Sequence, residues 1–326
     1  MPRIEIDRIR EASEAALLAH GARAGTARIM AGAVAWAEAR GNRICGLYYL
    51  ESYCLQLRSG RIDPQAEPAV ETRRPGAIHV DAGDGFAQPA FLAALPEAAR
   101  AARALGTASL SIGRMHTATA LGWFAEGAAR EGLVALAATN ASPIVAPPGG
   151  HARVIGTNPV AFAVPDGAGG IAWAFDQATT QVALGAVTMA RAAGEAIPEG
   201  WGRDASGDPA TDPAAVVEGG SLASAGGAKG WGIGLMVEML AAGMGGGRLS
   251  RDVAPLKAEH GAPHGLSLFM ILIDPSASDA FAPRLAALTG AVEAAGGRLP
   301  GRGRAPEEAV EVPEALWRTA LDLGAA

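Results

Sequence analysis

Between Gly113 and Pro165 the chain passes from a strand end carrying His116 through an amphipathic helix, a buried apolar strand, a loop rich in glycine and proline, and a second apolar run. The same alternation extends in both directions. Upstream lie AIHVD, a helix predicted from Pro89 to Leu105, and TASLSIGR; downstream lie IAWAFD and a helix predicted from Gln181 to Ala193. Alternation of this kind predicts an α/β body whose largely buried sheet is flanked by helices. Within the stretch itself the helix is expected from Ala118 to Glu131, and polar side chains crowd beside backbone-special residues. We read it as the floor of a cofactor or substrate site.

Ahead of the body, apolar residues at three- and four-residue spacing predict helices over Asp7–His20, Gly25–Arg40 and Leu47–Ser59, with Gly21 and Gly60 as stops. These define a helical lobe over residues 1–75, followed by an α/β body over 76–310 and a C-terminal helix within 311–326 expected to pack back on the first lobe. A turn-rich excursion near 195–225 is too polar for core and suits a lid or a dimer contact. Residues 326 in number, 49% of them hydrophobic, allow two or three such lobes. A net charge of −6 with 27 scattered Lys and Arg argues against a nucleic-acid partner. The first residues lack the pattern of a signal peptide, and the apolar run Leu266–Asp274 is far short of the ~20 residues that span a bilayer. A cytoplasmic protein with no membrane partner is expected. Cys45 and Cys54 are expected on one helix about 13.5 Å apart, beyond disulfide reach, as free thiols.

Three groups of residues invite a chemical reading. GGAKGWG fails the P-loop template, and no G-x-G-x-x-G joins a strand to a helix. Gly226, Gly227, Lys229 and Gly230 nevertheless stand where a helix starts, a place that attracts anions; a glycine turn with a solvated lysine is the competing reading. His260 and His264 have a metal-like spacing, but the intervening Gly-Ala-Pro predicts a loop, and no further ligands complete a set, so no metal is expected. His20, His79 and His151 are read as structural. His116, just past an apolar strand, and Asp176, at the end of IAWAFD, are candidates for acid–base work. Each also admits a structural role, as a satisfied histidine and as a helix N-cap.

The segment order SGRIDP, GRMH, TNASPIVAPPGG, GTNPVAFAVP, FDQATT, GGAKGWGIGLMVEML, LIDP and LPG resembles the type-2 malate/L-lactate dehydrogenase family, which includes sulfolactate and ureidoglycolate dehydrogenases and reductases of cyclic 2-imino acids. The resemblance implies a malate/L-lactate (sulfolactate) dehydrogenase-like α/β fold, with a non-Rossmann nicotinamide-binding sheet and a helical N-terminal lobe. It implies a homodimer, and hydride transfer from NADPH or NADH, NADPH ahead, to C2 of a small 2-oxo or 2-imino acid. By the same resemblance His116 belongs in the site and Thr117, Ala118, Thr119, Ala120 and Leu121 line the cofactor. Thr139, Asn140, Ser142, Gly156, Thr157 and Asn158 shape the nicotinamide side, with Ala178 and Thr179 beside them. Lys229 and Gly230 match the phosphate loop. Arg302 and Arg304 could meet a 2′-phosphate or form a basic surface loop. Asp176 falls in an FDQ sequence of the kind associated with the imine reductases, where the aspartate serves a charge relay.

The chain departs from that family where it normally carries Arg-Gly-His-x-Ser-His-Gly and a substrate-binding arginine three residues on. Here stand Arg40, Gly41, Asn42, Arg43, Ile44, Cys45 and Gly46, then Tyr49. The lysine loop has Ala228 and Trp231 in place of the usual histidine and tyrosine. Arg43, Cys45 and Tyr49 become the candidates for the substrate side, Cys45 as an inert thiol. Reducing a ketone calls for a proton or hydrogen-bond donor, assistance worth about 100-fold to 10,000-fold. A cyclic imine can bind already protonated, with Asp176 stabilising the cation. The expected function is therefore an NAD(P)H-dependent reductase of Δ1-pyrroline-2-carboxylate or Δ1-piperideine-2-carboxylate. The alternatives are a 2-hydroxy-acid dehydrogenase using His116, and a catalytically silent paralogue that binds a cofactor or metabolite.

Overall fold

The computed structural model describes residues 1–302 and 305–325. A short strand β1 (Arg3–Glu5) leads into α1 (Ile6–Ala19), α2 (Ala24–Ala39) and, after a single 3-10 turn at Arg43–Cys45, α3 (Leu47–Ser59). Helix α1 buries Ile9, Ala12, Ala16 and Leu17 on one stripe. It ends as the sequence predicts: Gly21 takes φ +93°, and the N–H groups of Gly21 and Ala22 close back on Leu18 and Leu17. Cys45 and Cys54 do not share a helix, contrary to expectation, because the chain breaks at Gly46, where a Cβ would collide with the Glu38 carboxylate. Both thiols are free.

The body follows as β2 (Ala69–Arg74), β3 (Ala77–Asp81), α4 (Ala87–Leu105), β4 (Thr107–Met115), α5 (Gly122–Arg130), β5 (Val134–Thr139), β6 (Val160–Pro165), β7 (Ile171–Gln177) and α6 (Leu184–Ala193). The excursion holds β8 (Gly202–Arg203), β9 (Pro209–Ala210), α7 (Pro213–Glu218) and β10 (Ser221–Leu222). Then come α8 (Ala228–Glu238), running into a π-helical turn at Met239–Gly243, β11 (Leu266–Ile273), α9 (Phe281–Ala294), β12 (Ala309–Glu311) and α10 (Glu314–Gly324).

Seven strands form the main sheet in the order β2-β3-β4-β11-β5-β6-β7. Only β3 and β4 are parallel, joined by the crossover helix α4; every other pair is antiparallel. Strand period sorts the two faces. Leu266, Leu268, Met270 and Leu272 join Leu110 and Ile112 in the core beneath Phe91 of α4 and Phe124 of α5. Ser267 and Ser111 are buried on the opposite face. Backbone around Gly245 crosses that face so closely that a Cβ on Gly113 would strike the Gly245 carbonyl. Strand β2 is exposed along its length, and its Glu71, Arg73 and Arg74 guard a free edge.

Two smaller cores flank this one. Ile9, Leu17, Met30, Leu50 and Tyr53 pack with Val312 and Ala320, so the C-terminal helix closes onto the first three, and β1 pairs with β12. The excursion is not merely polar surface. Its Ile197, Ala210, Val216 and Leu222 pack on Ile144, Ile155 and Val187, beside the three-stranded sheet β10-β8-β9. Those apolar residues are too widely spaced to show a period, which is why the segment reads as turn. Helix α5 starts at Gly122 rather than Ala118, and α6 at Leu184 rather than Gln181. No helix among the described residues is long and apolar enough to cross a membrane.

Candidate active site

His116 lies at the end of β4, and its ring is 2% exposed. The imidazole stacks on His264 at 4.1 Å and meets Tyr53 and Phe86 edge-on at 5.6 Å each. Its Nε2 is 2.7 Å from Gln56 Oε1. His264 arrives on a strap, residues 255–264, fastened across α3. Arg61, itself buried, donates to the carbonyls of Pro255, Ala258 and Ala262; Gln56 donates to those of Leu256 and Ala258; Ser59 donates to that of Glu259. Burial, His264 and the Arg61 guanidinium hold His116 well below the usual imidazole range, and burial with Arg61 pushes His264 down to about 3. Both rings are neutral at physiological pH.

The segment Thr117–Leu121 follows directly. Ala118, Ala120 and Leu121 are buried, Thr119 takes φ +55°, and Gln88 on α4 donates to the Ala118 carbonyl at 3.1 Å. Asp176 fixes the end of this segment: its carboxylate accepts from the N–H groups of Leu121 and, at 2.8 Å, Gly122. The aspartate does serve as a cap, but for α5 across the sheet rather than for the helix that follows it in sequence.

Asp176 opens onto a cavity of about 160 Å³ lined by Trp36, Arg40, Asn42, Gly122, Glu126 and Phe175. The residue is exposed by area, yet its carboxyl is crowded, and that desolvation, with Glu126 adding to it against the Gly122 and Leu121 hydrogen bonds, raises it to about 6. Half-buried Cys45 is its neighbour, and burial together with the Asp176 charge pushes the thiol up to about 12. Tyr49, also half-buried, is raised by burial and by Cys45, and its ring lies tilted 5.8 Å from that of Tyr53. A line of side chains thus runs from Asp176 through Cys45, Tyr49 and Tyr53 to His116. The structure does not put Asp176 and His116 in direct contact.

On the other side of β5 the loop residues are locked by hydrogen bonds. Thr139 Oγ1 donates to Ser267 O at 2.8 Å, and Asn140 Nδ2 to Arg248 O at 2.8 Å. Thr157 O accepts from both the N–H and the hydroxyl of Thr179 at 3.0 Å. Asn158 takes φ +36° and is held by Glu238, a buried carboxylate that accepts from Asn158 Nδ2 at 2.7 Å and from the N–H and hydroxyl of Ser250 at 2.6 Å. The Gly156 turn is glycine-only, since a Cβ would sit 2.6 Å from Ala141 O. Ser142 and Ala178 are half-buried in the same loops. Because Asn158 also donates to Gly234 O at 3.0 Å, Glu238 and Asn158 tie the Gly156–Asn158 turn to α8. Lys229 is exposed in the first turn of that helix, while a Cβ on Gly230 would strike the Ala225 carbonyl.

Two predicted site residues stand apart. Arg43 is exposed and faces a cavity shared with Arg3, Glu38 and Glu311, on the β12 side rather than the Asp176 side. Arg302 pairs with Glu293 at 3.1 Å and lines a cavity with Arg130 and Trp173, with no contact shared with Lys229. Arg304 lies outside the described residues. Gln56 and Glu238 escaped the sequence reading, and His264, singled out there only for its spacing from His260, was not placed beside His116. Polar residues inside helices carry no motif, and only their three-dimensional partners reveal them.

The sequence matches the family described as malate/L-lactate dehydrogenase over residues 4–315. It is 37% identical over 324 residues to a Δ1-pyrroline-2-carboxylate/Δ1-piperideine-2-carboxylate reductase from Pseudomonas putida, covering 98% of this chain and 95% of that protein. It is 39% identical over 309 residues to a (2R)-3-sulfolactate dehydrogenase (NADP+) from Chromohalobacter salexigens, covering 93% and 92%. The crystal structure of Δ1-piperideine-2-carboxylate reductase from Pseudomonas syringae pv. tomato superposes with a TM-score of 0.91 at 33% identity, covering 99% of this chain and all of that one.

Proposed function

Because the chain belongs to the malate/L-lactate dehydrogenase family, we propose that it is an NAD(P)H-dependent reductase transferring a hydride to C2 of a small cyclic 2-imino acid, of the Δ1-pyrroline-2-carboxylate or Δ1-piperideine-2-carboxylate type. The observation that carries the choice of substrate is the pairing of Cys45 with Asp176. A thiol raised to about 12 lies far from the near-neutral range that suits a general acid, and the group beside it is a carboxylate. Such a site lacks what a ketone needs and favours what an iminium brings, a positive charge that the hydride neutralises. The reductase relatives in Pseudomonas agree with this reading.

The cofactor's part is to supply the hydride. Lys229 and the N–H groups at the start of α8 would hold its phosphates, a fit supported by the exposure of Lys229 in the first turn of that helix and by the close glycine backbone at Gly230. Thr117–Leu121 and the Gly156–Asn158 turn would form the nicotinamide wall. NADPH stands ahead of NADH, in line with the NADP+ of the sulfolactate relative. A homodimer belongs to the same reading, supported by the apolar side chains exposed on and after α8: Ile233, Met236, Met239 and Met244. A cytoplasmic location accords with two free thiols.

The second reading, a 2-hydroxy-acid dehydrogenase using His116 as acid–base group, is favoured by the 39% identity to the sulfolactate enzyme. Following NADPH and NADH oxidation with pyrroline-2-carboxylate, piperideine-2-carboxylate, pyruvate and oxaloacetate separates the two. Turnover of the imines is expected; turnover of the keto acids alone selects the second reading. Cofactor binding with no turnover across the panel identifies a silent paralogue.

A further inference from the structure

Neither candidate for the substrate carboxylate reaches the cavity onto which Asp176 opens: Arg43 faces the β12 side, and Tyr49 is not among the lining residues. The cation that does line it is half-buried Arg40, the cap at the C-terminus of α2. A tight stop places it there. Gly41 takes φ +73°, its N–H closes on Glu38 O and the Asn42 N–H on Ala37 O, so Arg40 and Asn42 both line the cavity. The guanidinium lies 4.3 Å over the Trp36 ring, and its Nη2 donates to Glu126 Oε2 at 2.9 Å. The same carboxylate oxygen accepts from Arg130 Nη2 at 3.1 Å. One carboxylate shared by two guanidinium groups leaves a surplus positive charge, and a guanidinium has donors beyond the one that Glu126 takes. Arg130 does not line this cavity, so the donors left over on its wall belong to Arg40. Arg40 and Asp176 share the cavity without bonding to each other, since the aspartate accepts from Leu121 and Gly122. The space is therefore dipolar, with Trp36 and Phe175 as its apolar wall.

We propose that Arg40 binds the carboxylate of the imino acid while Asp176 faces its N–H⁺, so that the cavity selects a small ring whose cationic nitrogen adjoins the carboxylate-bearing carbon. The proposal rests on the imine reading given above and deepens it by naming the group that holds the carboxylate. A cavity of about 150 Å³ holds one benzene ring, so the 160 Å³ here admits the ring of one cyclic imino acid. A carboxylate accepts charge-assisted hydrogen bonds from a guanidinium, on two parallel N–H groups where the geometry allows. Nitrogen and carboxylate are both attached to C2 in the plane of the C=N bond. Holding both fixes that plane and leaves its face to the hydride, whereas an imine without the carboxylate is held at one end only.

The test compares Δ1-pyrroline-2-carboxylate with Δ1-pyrroline, the same ring without the carboxylate, in the full-length protein. The ratio of their kcat/KM values cancels any loss of folded protein. In Arg40→Met, which keeps an apolar side chain over Trp36, the ratio should fall about tenfold to a hundredfold. Arg40→Lys keeps the charge but cannot present two parallel N–H groups, and should fall between that variant and wild type. A second arm measures, by calorimetry on the NADP⁺-loaded protein, the binding of pyrrole-2-carboxylate and of pyrrole, neither of which is reduced. Arg40→Met should weaken the carboxylate by the same factor and leave pyrrole unaffected. In a protein that reduces the imines, an unchanged ratio in whichever variant folds overturns the proposal and leaves the imine reading standing. A protein that reduces no imine yet binds pyrrole-2-carboxylate through Arg40 overturns the imine reading and keeps the carboxylate site. One that reduces no imine and binds pyrrole-2-carboxylate no better than pyrrole overturns both.

Discussion

Replacing His264 by phenylalanine should make the protein markedly more tolerant of acid. The ring stacks on His116 and is 2% exposed, so phenylalanine keeps the shape and the stack while removing the titration. In the unfolded chain a histidine takes up its proton near pH 6.5, whereas His264 in the fold resists until about 3. A group whose folded value is depressed contributes stability above its unfolded value, and that contribution is lost as pH falls toward the folded one. Each unprotonated histidine costs about 1.4 kcal/mol for every pH unit below 6.5. At pH 5 the variant should therefore have gained about 2 kcal/mol relative to wild type, compared with their difference at pH 7.5. His116 obeys the same sign, so the variant should still lose stability with acid, at a shallower slope. Urea unfolding midpoints of both proteins between pH 5 and 7.5 measure this directly. A wild-type-minus-variant difference that does not change with pH would refute the claim that His264 is held neutral in the fold.

Three further outcomes follow from the same geometry. Asp176→Asn keeps an oxygen for the Leu121 and Gly122 N–H groups but removes the charge, so imine reduction should fall about 100-fold in kcat/KM with little change in cofactor affinity; in wild type kcat/KM should rise as pH increases through about 6, and steady-state kinetics should show that step absent from the variant. Glu238→Ala removes the acceptor of one Asn158 Nδ2 hydrogen and of the Ser250 N–H and hydroxyl, so chemical denaturation should show a loss of about 3 kcal/mol, and a fluorescence titration should show weakened NADPH binding as the Gly156–Asn158 turn slackens. If the proposed homodimer forms through the apolar face of α8, Met236→Glu should abolish it, read by light scattering as a mass of once rather than twice the 32.8 kDa chain mass.

How far the residues alone lead depends on the range of the interactions involved. Helix α3 and its stop at Gly60 follow from local spacing and one left-handed glycine, and the structure has Gly60 at φ +75°. Strand β11 is equally clear as a strand, yet its place between β4 and β5 is a matter of pairing across more than a hundred residues, which no local pattern encodes. The site divides the same way. His116 and Asp176 stand at strand ends and can be singled out from position. That Asp176 caps α5, and that Cys45 is the group beside it, emerge only when β7 is laid against α5 and the first lobe. Glu238 and Gln56 sit in helices whose apolar stripes give no hint that a buried polar group is needed, because the need arises from the backbone of other segments.

Stereochemical tracing of the hydride tests the central claim most directly. The purified protein is incubated with Δ1-pyrroline-2-carboxylate or Δ1-piperideine-2-carboxylate and NADPH deuterated at C4 of the nicotinamide, and the amino acid formed is examined by mass spectrometry and NMR. The account predicts one deuterium, located at C2 of a proline- or pipecolate-type product. Unlabelled product, or label found only in a 2-hydroxy acid when keto acids are supplied, would contradict it.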